Sequence, residues 1–370
     1  MFEQINMWDL LLPTVEINKP IRLIELFSGV GAQAMALRNL GADFEHYLTC
    51  EWDVNAMASY HQIHMGDDNT DYSAGMDDEE IIKYLTDKGI SADGKEPLTE
   101  EQIRRHSNGT SWRKKVYNDI KATHNLVNIS QTKGLDLNIV DTGRFTYLLT
   151  YSFPCQDLSL AGKRKGMARE SGTRSGLLWE VERLLNETEN LPHILLMENV
   201  PQVCGEGNRE HFMEWQDFLK EKGYTNYSEI INAKDYGVAQ NRERCFMVSI
   251  LGEYNYKFPT AIPLRRTMND YLDDEVPEKY FINTPKAKEL IVDLQERGQL
   301  NEISHTVRGG QRFNRPSSMG CSINELGYIE KGTGQHQSNT VYGNDGVSPC
   351  LAAVNYKEPI KTVKEWKTES

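Results

Sequence analysis

The chain of 370 residues has no run of about 18 apolar residues, so nothing in it reads as a membrane span. Residues 1–20 carry acidic and apolar side chains but no basic leader, so a secretory signal is not expected. Cysteine is sparse and scattered: Cys50, Cys155, Cys204, Cys245, Cys321 and Cys350 form no C-x-x-C pair. That pattern excludes the common zinc motifs and fits reduced thiols in a cytosol, with no metal expected. Basic residues are in deficit, with 41 Lys and Arg against 54 Asp and Glu, a net charge of −13. Such a balance argues against a general nucleic-acid coater. Repeats and low-complexity tracts are also missing. What remains is a globular composition, 39% hydrophobic, long enough for one large domain and a smaller one.

The charge is unevenly placed. Residues 67–80 hold seven acids and no base, whereas 161–176 hold Lys163, Arg164, Lys165, Arg169 and Arg174 against Glu170 alone. The basic stretch is studded with glycines, which suits a mobile loop that contacts phosphate; the plain alternative is a solvated surface. A second basic run, 304–316, holds Arg308, Arg312 and Arg315 without an acid.

Periodicity predicts a doubly wound α/β domain over 1–260. Ile21 to Phe27 reads as a buried strand, Ser28 to Gly31 as a glycine turn, and Ala32 to Leu40 as a helix with Gly41 just past its end. A second strand runs Phe44 to Cys50 and delivers Glu51-Trp52-Asp53. An acid there, about 20 residues beyond the glycine turn, is placed to accept ribose hydroxyls, with Trp52 placed to stack on a base. A loop carboxylate and a core aromatic are the plain alternatives. Residues 66–116 read as a peripheral helical insertion, with capping-box spacing at Asp77–Glu80 and Thr99–Gln102. Leu126 to Ile129 reads as a further strand end. Helices are expected over 177–187, 209–222 and 286–297, and strands over 193–197, 227–233 and 244–251. Beyond about 260 periodicity fades, and 261–370 reads as a small irregular domain.

The run Phe145 to Tyr151 reads as a buried strand that must end near Pro154, since proline donates nothing to a ladder. Cys155 then stands just past a strand's carboxyl end, where open α/β sheets bind ligands. It is either a nucleophile or a small buried thiol. A glutamate after the next strand, Glu198, and the arginines of Gln240-x-Arg242-x-Arg244 complete a set able to attack and activate a pyrimidine ring.

In order along 20–252, the pieces Glu25-Leu26-Phe27-Ser28-Gly29-Val30-Gly31, Glu51-Trp52, Pro154-Cys155-Gln156-Asp157, Glu198-Asn199-Val200 and Gln240-x-Arg242-x-Arg244 resemble the DNA (cytosine-5)-methyltransferase family of bacterial or phage type. The resemblance implies an S-adenosylmethionine-dependent methyltransferase sheet with a target-recognition domain after it. Cys155 would add to carbon 6 of a flipped-out cytosine, Glu198 would bond ring nitrogen 3, Arg244 would hold the base oxygen, and Arg242 would support the site. S-adenosylmethionine would lie against Phe27, Gly29, Gly31, Glu51, Trp52, Asn128, Ile129 and Pro154. Double-stranded DNA would be held by Lys163, Arg164, Lys165, Arg308 and Arg312, with the basic loop closing over it.

Several positions depart from the family's pattern. Glu25 stands where the family usually has Asp, and Asn128 where an acid usually meets the adenine amine. Gly343-Asn344 is the only match to the family's closing segment, in a context that reads as a loop. That implies a closing helix supplied by a second polypeptide or covered for by the N-terminal stretch. The setting implied is the cytoplasm of a bacterium or phage-infected host, in restriction–modification or phage self-protection. Two alternatives stay open: an RNA cytosine methyltransferase of the same fold, and a DNA-binding or partner subunit that needs another chain.

Overall fold

The computed structural model describes residues 12–66, 68–154, 167 and 174–265, together with three short strands at 325–328, 340–343 and 361–363. The chain divides into two units. One is Met1–Glu229 with Cys245–Lys257; the other is Ile230–Arg244 with Phe258–Ser370.

In chain order the first unit runs β1 (Ile21–Leu26), α1 (Ala32–Asn39), β2 (Phe44–Cys50), α2 (Val54–Met65), α3 (Asp78–Lys88), α4 (Glu100–Arg104), α5 (Gly109–Ala122), β3 (Thr146–Tyr151), α6 (Leu178–Glu187), β4 (Ile194–Asn199) and α7 (Arg209–Glu221). The strands β5 (Tyr224–Asn232) and β6 (Glu243–Leu251) follow, and the sheet order is β2-β1-β3-β4-β6-β5. β1 pairs in parallel with both β2 and β3, and β3 with β4; β6 runs antiparallel to β4. This is the α/β methyltransferase-type sheet, with its switch point where β2 and β3 leave opposite sides of β1.

β3 is buried at every residue, as a central parallel strand covered on both faces must be. Its two tyrosines keep their hydroxyls satisfied: Tyr147 donates to the Val140 carbonyl at 2.6 Å, and Tyr151 accepts from the Trp215 indole at 3.0 Å. α6 packs Leu178, Val181, Leu184 and Leu185 against the sheet, the spacing its sequence predicts. Gly41 and Gly223 sit at positive φ beyond α1 and α7, where an L side chain would be strained.

Two expectations change, and one helix was not anticipated. No strand forms over 126–129. Asn125 makes one isolated bridge to Thr49, and Val127 then turns to φ 71°, which breaks any extended ladder. α2 is unannounced by its weak apolar pattern and is started by Asp53, whose Oδ1 accepts from Asn55 N–H at 2.8 Å and Ala56 N–H at 3.3 Å. The insertion extends past 116, because α5 continues to Ala122. Both of its predicted capping boxes are present. Its helices build their own core of Ile81, Ile82, Leu85, Ile90, Ile103, Val116 and Ile120, joined by Val54, Met57 and Val127.

In the second unit, β7 (Glu325–Tyr328) pairs antiparallel with β8 (Thr340–Gly343), and β8 pairs in parallel with β9 (Lys361–Val363). Thr340 to Gly343 is therefore strand where a loop was expected. The helix expected over 286–297 lies outside the described residues. No helix among the described residues is long and apolar enough to cross a membrane.

Candidate cofactor pocket and catalytic strand ends

A cavity of about 250 Å3 opens beyond the carboxyl ends of β1, β2 and β3. Phe27 closes it from β1, Cys50, Glu51 and Trp52 from β2, and Ser152 and Pro154 from β3. Gly94, Val127, Asn128, Ile129, Ser130 and Leu177 complete the lining. Of the eight positions expected to meet a cofactor, six therefore share one pocket: Phe27, Glu51, Trp52, Asn128, Ile129 and Pro154. Gly29 and Gly31 are not in its lining, but Gly29 is tied to it, since its N–H donates to Glu51 Oε2 at 3.0 Å.

Glu51 is held from every side. Its Oε1 accepts the Asp53 N–H at 2.9 Å, and burial pushes its carboxyl above the ordinary carboxylate range. Asn125, buried and silent in the sequence, grips the same residue: its Oδ1 accepts the Glu51 N–H at 3.0 Å and its Nδ2 donates to the Glu51 carbonyl at 2.9 Å. The Asn125 Oδ1 also accepts the Val127 N–H at 2.8 Å, which helps hold Val127 in its left-handed conformation. Phe27 is left-handed as well, at φ 57°. Two bulky residues are thus held left-handed at one pocket, a conformation that costs free energy. A lone asparagine in a polar stretch carries no sequence signal strong enough to have been singled out.

The insertion is not peripheral to this pocket. Ser91 pairs with the strand end, its N–H donating to the Trp52 carbonyl at 2.7 Å and its carbonyl accepting the Val54 N–H at 2.9 Å. That bridge brings Gly94 into the lining, and Trp52 packs on the insertion's core. Asn128 lines the cavity with its Oδ1 already accepting the Ser130 N–H at 3.1 Å. Cys50, the pocket's own thiol, is pushed up to about 12 by burial and is no nucleophile.

Glu25 has a role that an aspartate, one methylene shorter, would reach less easily. The residue is 0% exposed; its Oε1 accepts the Ala34 N–H at 3.3 Å, and its Oε2 accepts from the Tyr60 hydroxyl at 2.6 Å. It thereby caps α1 from within the sheet, since Gly31 offers no side chain to do so.

Cys155 lies outside the described residues, as do Lys163, Arg164, Lys165, Arg308 and Arg312. The strand that leads to Cys155 is fixed next to β4: Asn199, 3% exposed, donates from Nδ2 to the Phe153 carbonyl at 3.0 Å. The middle residue of Glu198-Asn199-Val200 thus ties the Glu198 strand end to the one that precedes Cys155. Glu198 stands in β4 opposite Phe246. In the second unit, Arg242 is set by backbone bonds: its N–H donates to Asn232 Oδ1 at 3.0 Å, and its carbonyl accepts the Ala233 N–H at 3.0 Å. Arg244 Nη1 donates to the Glu243 carbonyl at 2.7 Å. Among the described residues no cluster of His, Cys, Asp or Glu is arranged to hold a metal ion.

A mostly parallel sheet with a pocket at its switch point, an acid at the second strand end and a glycine turn at the first defines a methyltransferase-type α/β protein. A model of the C-5 cytosine-specific DNA methylase family matches residues 21–87 and 99–370. The orphan methyltransferase M.SssI of Spiroplasma monobiae is 37% identical over 304 residues, which cover 80% of this chain and 76% of that protein. The type II methyltransferase M2.ScrFI of Lactococcus lactis subsp. cremoris is 34% identical over 271 residues, 73% of this chain and 72% of its own. Among solved structures, that of the S. pombe Dnmt2 methyltransferase overlays with a TM-score of 0.46 at 14% identity, covering 93% of this chain and 74% of that one. The chain belongs to the C-5 cytosine-specific DNA methylase family.

Proposed function

We propose that this chain transfers a methyl group from S-adenosylmethionine to carbon 5 of a cytosine in a nucleic acid, through a covalent adduct at Cys155. The observation that carries the proposal is the pocket, whose wall ends at Pro154, the residue before Cys155. Its residues fit the cofactor. Phe27, Trp52 and Ile129 offer apolar faces to an adenine, and each Glu51 oxygen, having accepted a backbone N–H, keeps a lone pair for a ribose hydroxyl. Asn128 Oδ1 has a second lone pair for the adenine amine. At Gly29 nothing lies within 4 Å of where a Cβ would stand, so the backbone is open to the amino-acid end. S-adenosylmethionine, held there, supplies an activated methyl group.

The chain's own residues prepare the ring. The Cys155 thiolate forms a bond to carbon 6, while Glu198 donates to nitrogen 3 and Arg244 holds the base oxygen, with Arg242 supporting the site. Electron density then collects at carbon 5, which accepts the methyl. Loss of the carbon 5 proton to a base and cleavage of the carbon–sulfur bond restore the thiolate. The base must leave its stack, at a cost of about a few kcal/mol. Lys163, Arg164, Lys165, Arg308 and Arg312 are the cations that would meet the phosphates.

Duplex DNA and RNA share this chemistry. The description of the family and the orphan and type II relatives support DNA, with a role in restriction–modification or phage self-protection in a bacterial cytoplasm. The cofactor pocket and the carried-over catalytic motifs serve an RNA cytosine equally well. The test is methyl transfer from labelled S-adenosylmethionine to duplex DNA and to RNA, with bisulfite sequencing of each. Label at cytosine in DNA supports the DNA reading, and label in RNA alone replaces it. No transfer to either favours a subunit that needs another chain. With 5-fluorocytosine at the target, a covalent adduct should form and should vanish in Cys155→Ala; methylation at the normal rate by that variant would end the covalent mechanism.

A further inference from the structure

We propose that His64, fixed in one tautomer by Arg38, is the positioning residue that holds the Ser28–Gly31 turn in its cofactor-binding form. The proposal rests on the reading of that turn as part of the S-adenosylmethionine site. His64 is in the last turn of α2, and its Nε2 lies 3.0 Å from the Val30 carbonyl. Its Nδ1 lies 2.6 Å from Arg38 Nη2, and Arg38 Nη1 reaches the Ile63 carbonyl at 3.4 Å. A guanidinium has donors only, so Nδ1 must present its lone pair. The ring proton is therefore on Nε2, and it is donated to Val30. One imidazole thus relays a donor on α1 into a bond that grips the turn.

The fit is close and leaves no slack. A Cβ at Gly31, which sits at φ 79°, would stand 2.3 Å from His64 Nε2 and 2.7 Å from the Tyr60 ring. The turn is therefore shaped against this histidine as well as by its own glycines. Val30, whose carbonyl is held, is 50% exposed. The groups that face His64 are Arg38 from α1, Tyr60 from its own helix with ring centroids 4.5 Å apart, and His46 from β2 at 5.0 Å. Glu25 stands behind Tyr60. Protonation of His64 would set an N–H against the Arg38 N–H while leaving the Nε2–H on Val30, and burial with the Arg38 charge keeps the ring below the ordinary imidazole range.

Calorimetry with S-adenosylmethionine and imidazole nitrogen NMR test the proposal on the full chain. His64→Ala should weaken cofactor affinity about tenfold, the equivalent of one hydrogen bond, and raise its KM with little change in kcat. His64→Gln should keep affinity within about threefold, because its amide oxygen accepts from Arg38 while its amide nitrogen donates to Val30. The resonance missing in these variants identifies His64, which should show the Nε2–H tautomer. The imidazole pKa, followed by the same nitrogen resonances, should rise in Arg38→Met, with a like charge removed. Equal affinity in His64→Ala and the unaltered chain, or an Nδ1–H tautomer, overturns the proposal and leaves the pocket assignment standing. Failure of the unaltered chain to bind S-adenosylmethionine overturns the pocket assignment, and this proposal with it.

Discussion

Glu25 shows how a single residue carries both structure and pH response. Burial pushes its carboxyl from 4.5 up to about 7, although two donors point at it. Between those values the unfolded chain has lost a proton that the folded chain keeps, so the contribution of Glu25 to stability is greatest below 4.5 and falls as pH rises toward 7. The amount at stake is on the order of 3 kcal/mol. Glu25→Gln should flatten the fall in melting temperature between pH 5 and 8; an unchanged slope would show that the carboxyl is not what titrates. In the pocket, Trp52→Ala and Glu51→Ala should weaken S-adenosylmethionine binding far more than nucleic-acid binding. Asn125→Ala should do the same without touching the ligand, since it frees both Glu51 and Val127. Calorimetry that finds cofactor affinity unchanged in all three would sink the pocket assignment.

At the scale of elements, the insertion is held by one buried cation. Arg113 is 5% exposed; its Nε donates to Asp78 Oδ1 at 2.7 Å, and its Nη1 donates to the Ile103 and Arg104 carbonyls at 3.2 and 3.0 Å. It thus closes the end of α4 and ties α5 to the start of α3. Arg113→Met keeps the apolar stem but orphans those acceptors, with an expected loss of about 2–3 kcal/mol. Because the same insertion presents Ser91 and Gly94 to the Trp52 strand end, cofactor affinity should drop along with the melting temperature. A variant that melts early yet binds cofactor normally would show that the insertion and the pocket are energetically separate.

For the whole molecule, the net charge of −13 makes any nucleic-acid affinity depend on local basic stretches. Removing one cation that meets a phosphate should reduce the slope of log affinity against log salt by about 0.9. Lys163, Arg164 and Lys165 changed together to Ala should flatten that slope and slow turnover. An unchanged slope, measured by titration at several salt concentrations, would return this stretch to an ordinary solvated surface.

The parallel strands of the sheet were legible because their runs are mainly apolar, and burial on both faces demands that of Ile21–Leu26 and Thr146–Tyr151. The glycine turn and the place of Glu51 at the end of β2 were legible for a similar local reason: a sharp reversal needs glycine, and the strand run stops at Cys50. Local pattern had nothing to say about Asn125, Asn199 or His64. Each acts by a hydrogen bond to backbone distant in the chain, and a polar residue's partner depends on which elements fold beside it. Position alone decided those partners, as it decided that a loop of the insertion reaches the pocket at the end of β2. Hydrophobic periodicity and turn chemistry belong to neighbouring residues and can be read from the sequence; a polar tie across 46 or 74 positions exists only once the sheet has brought its ends together.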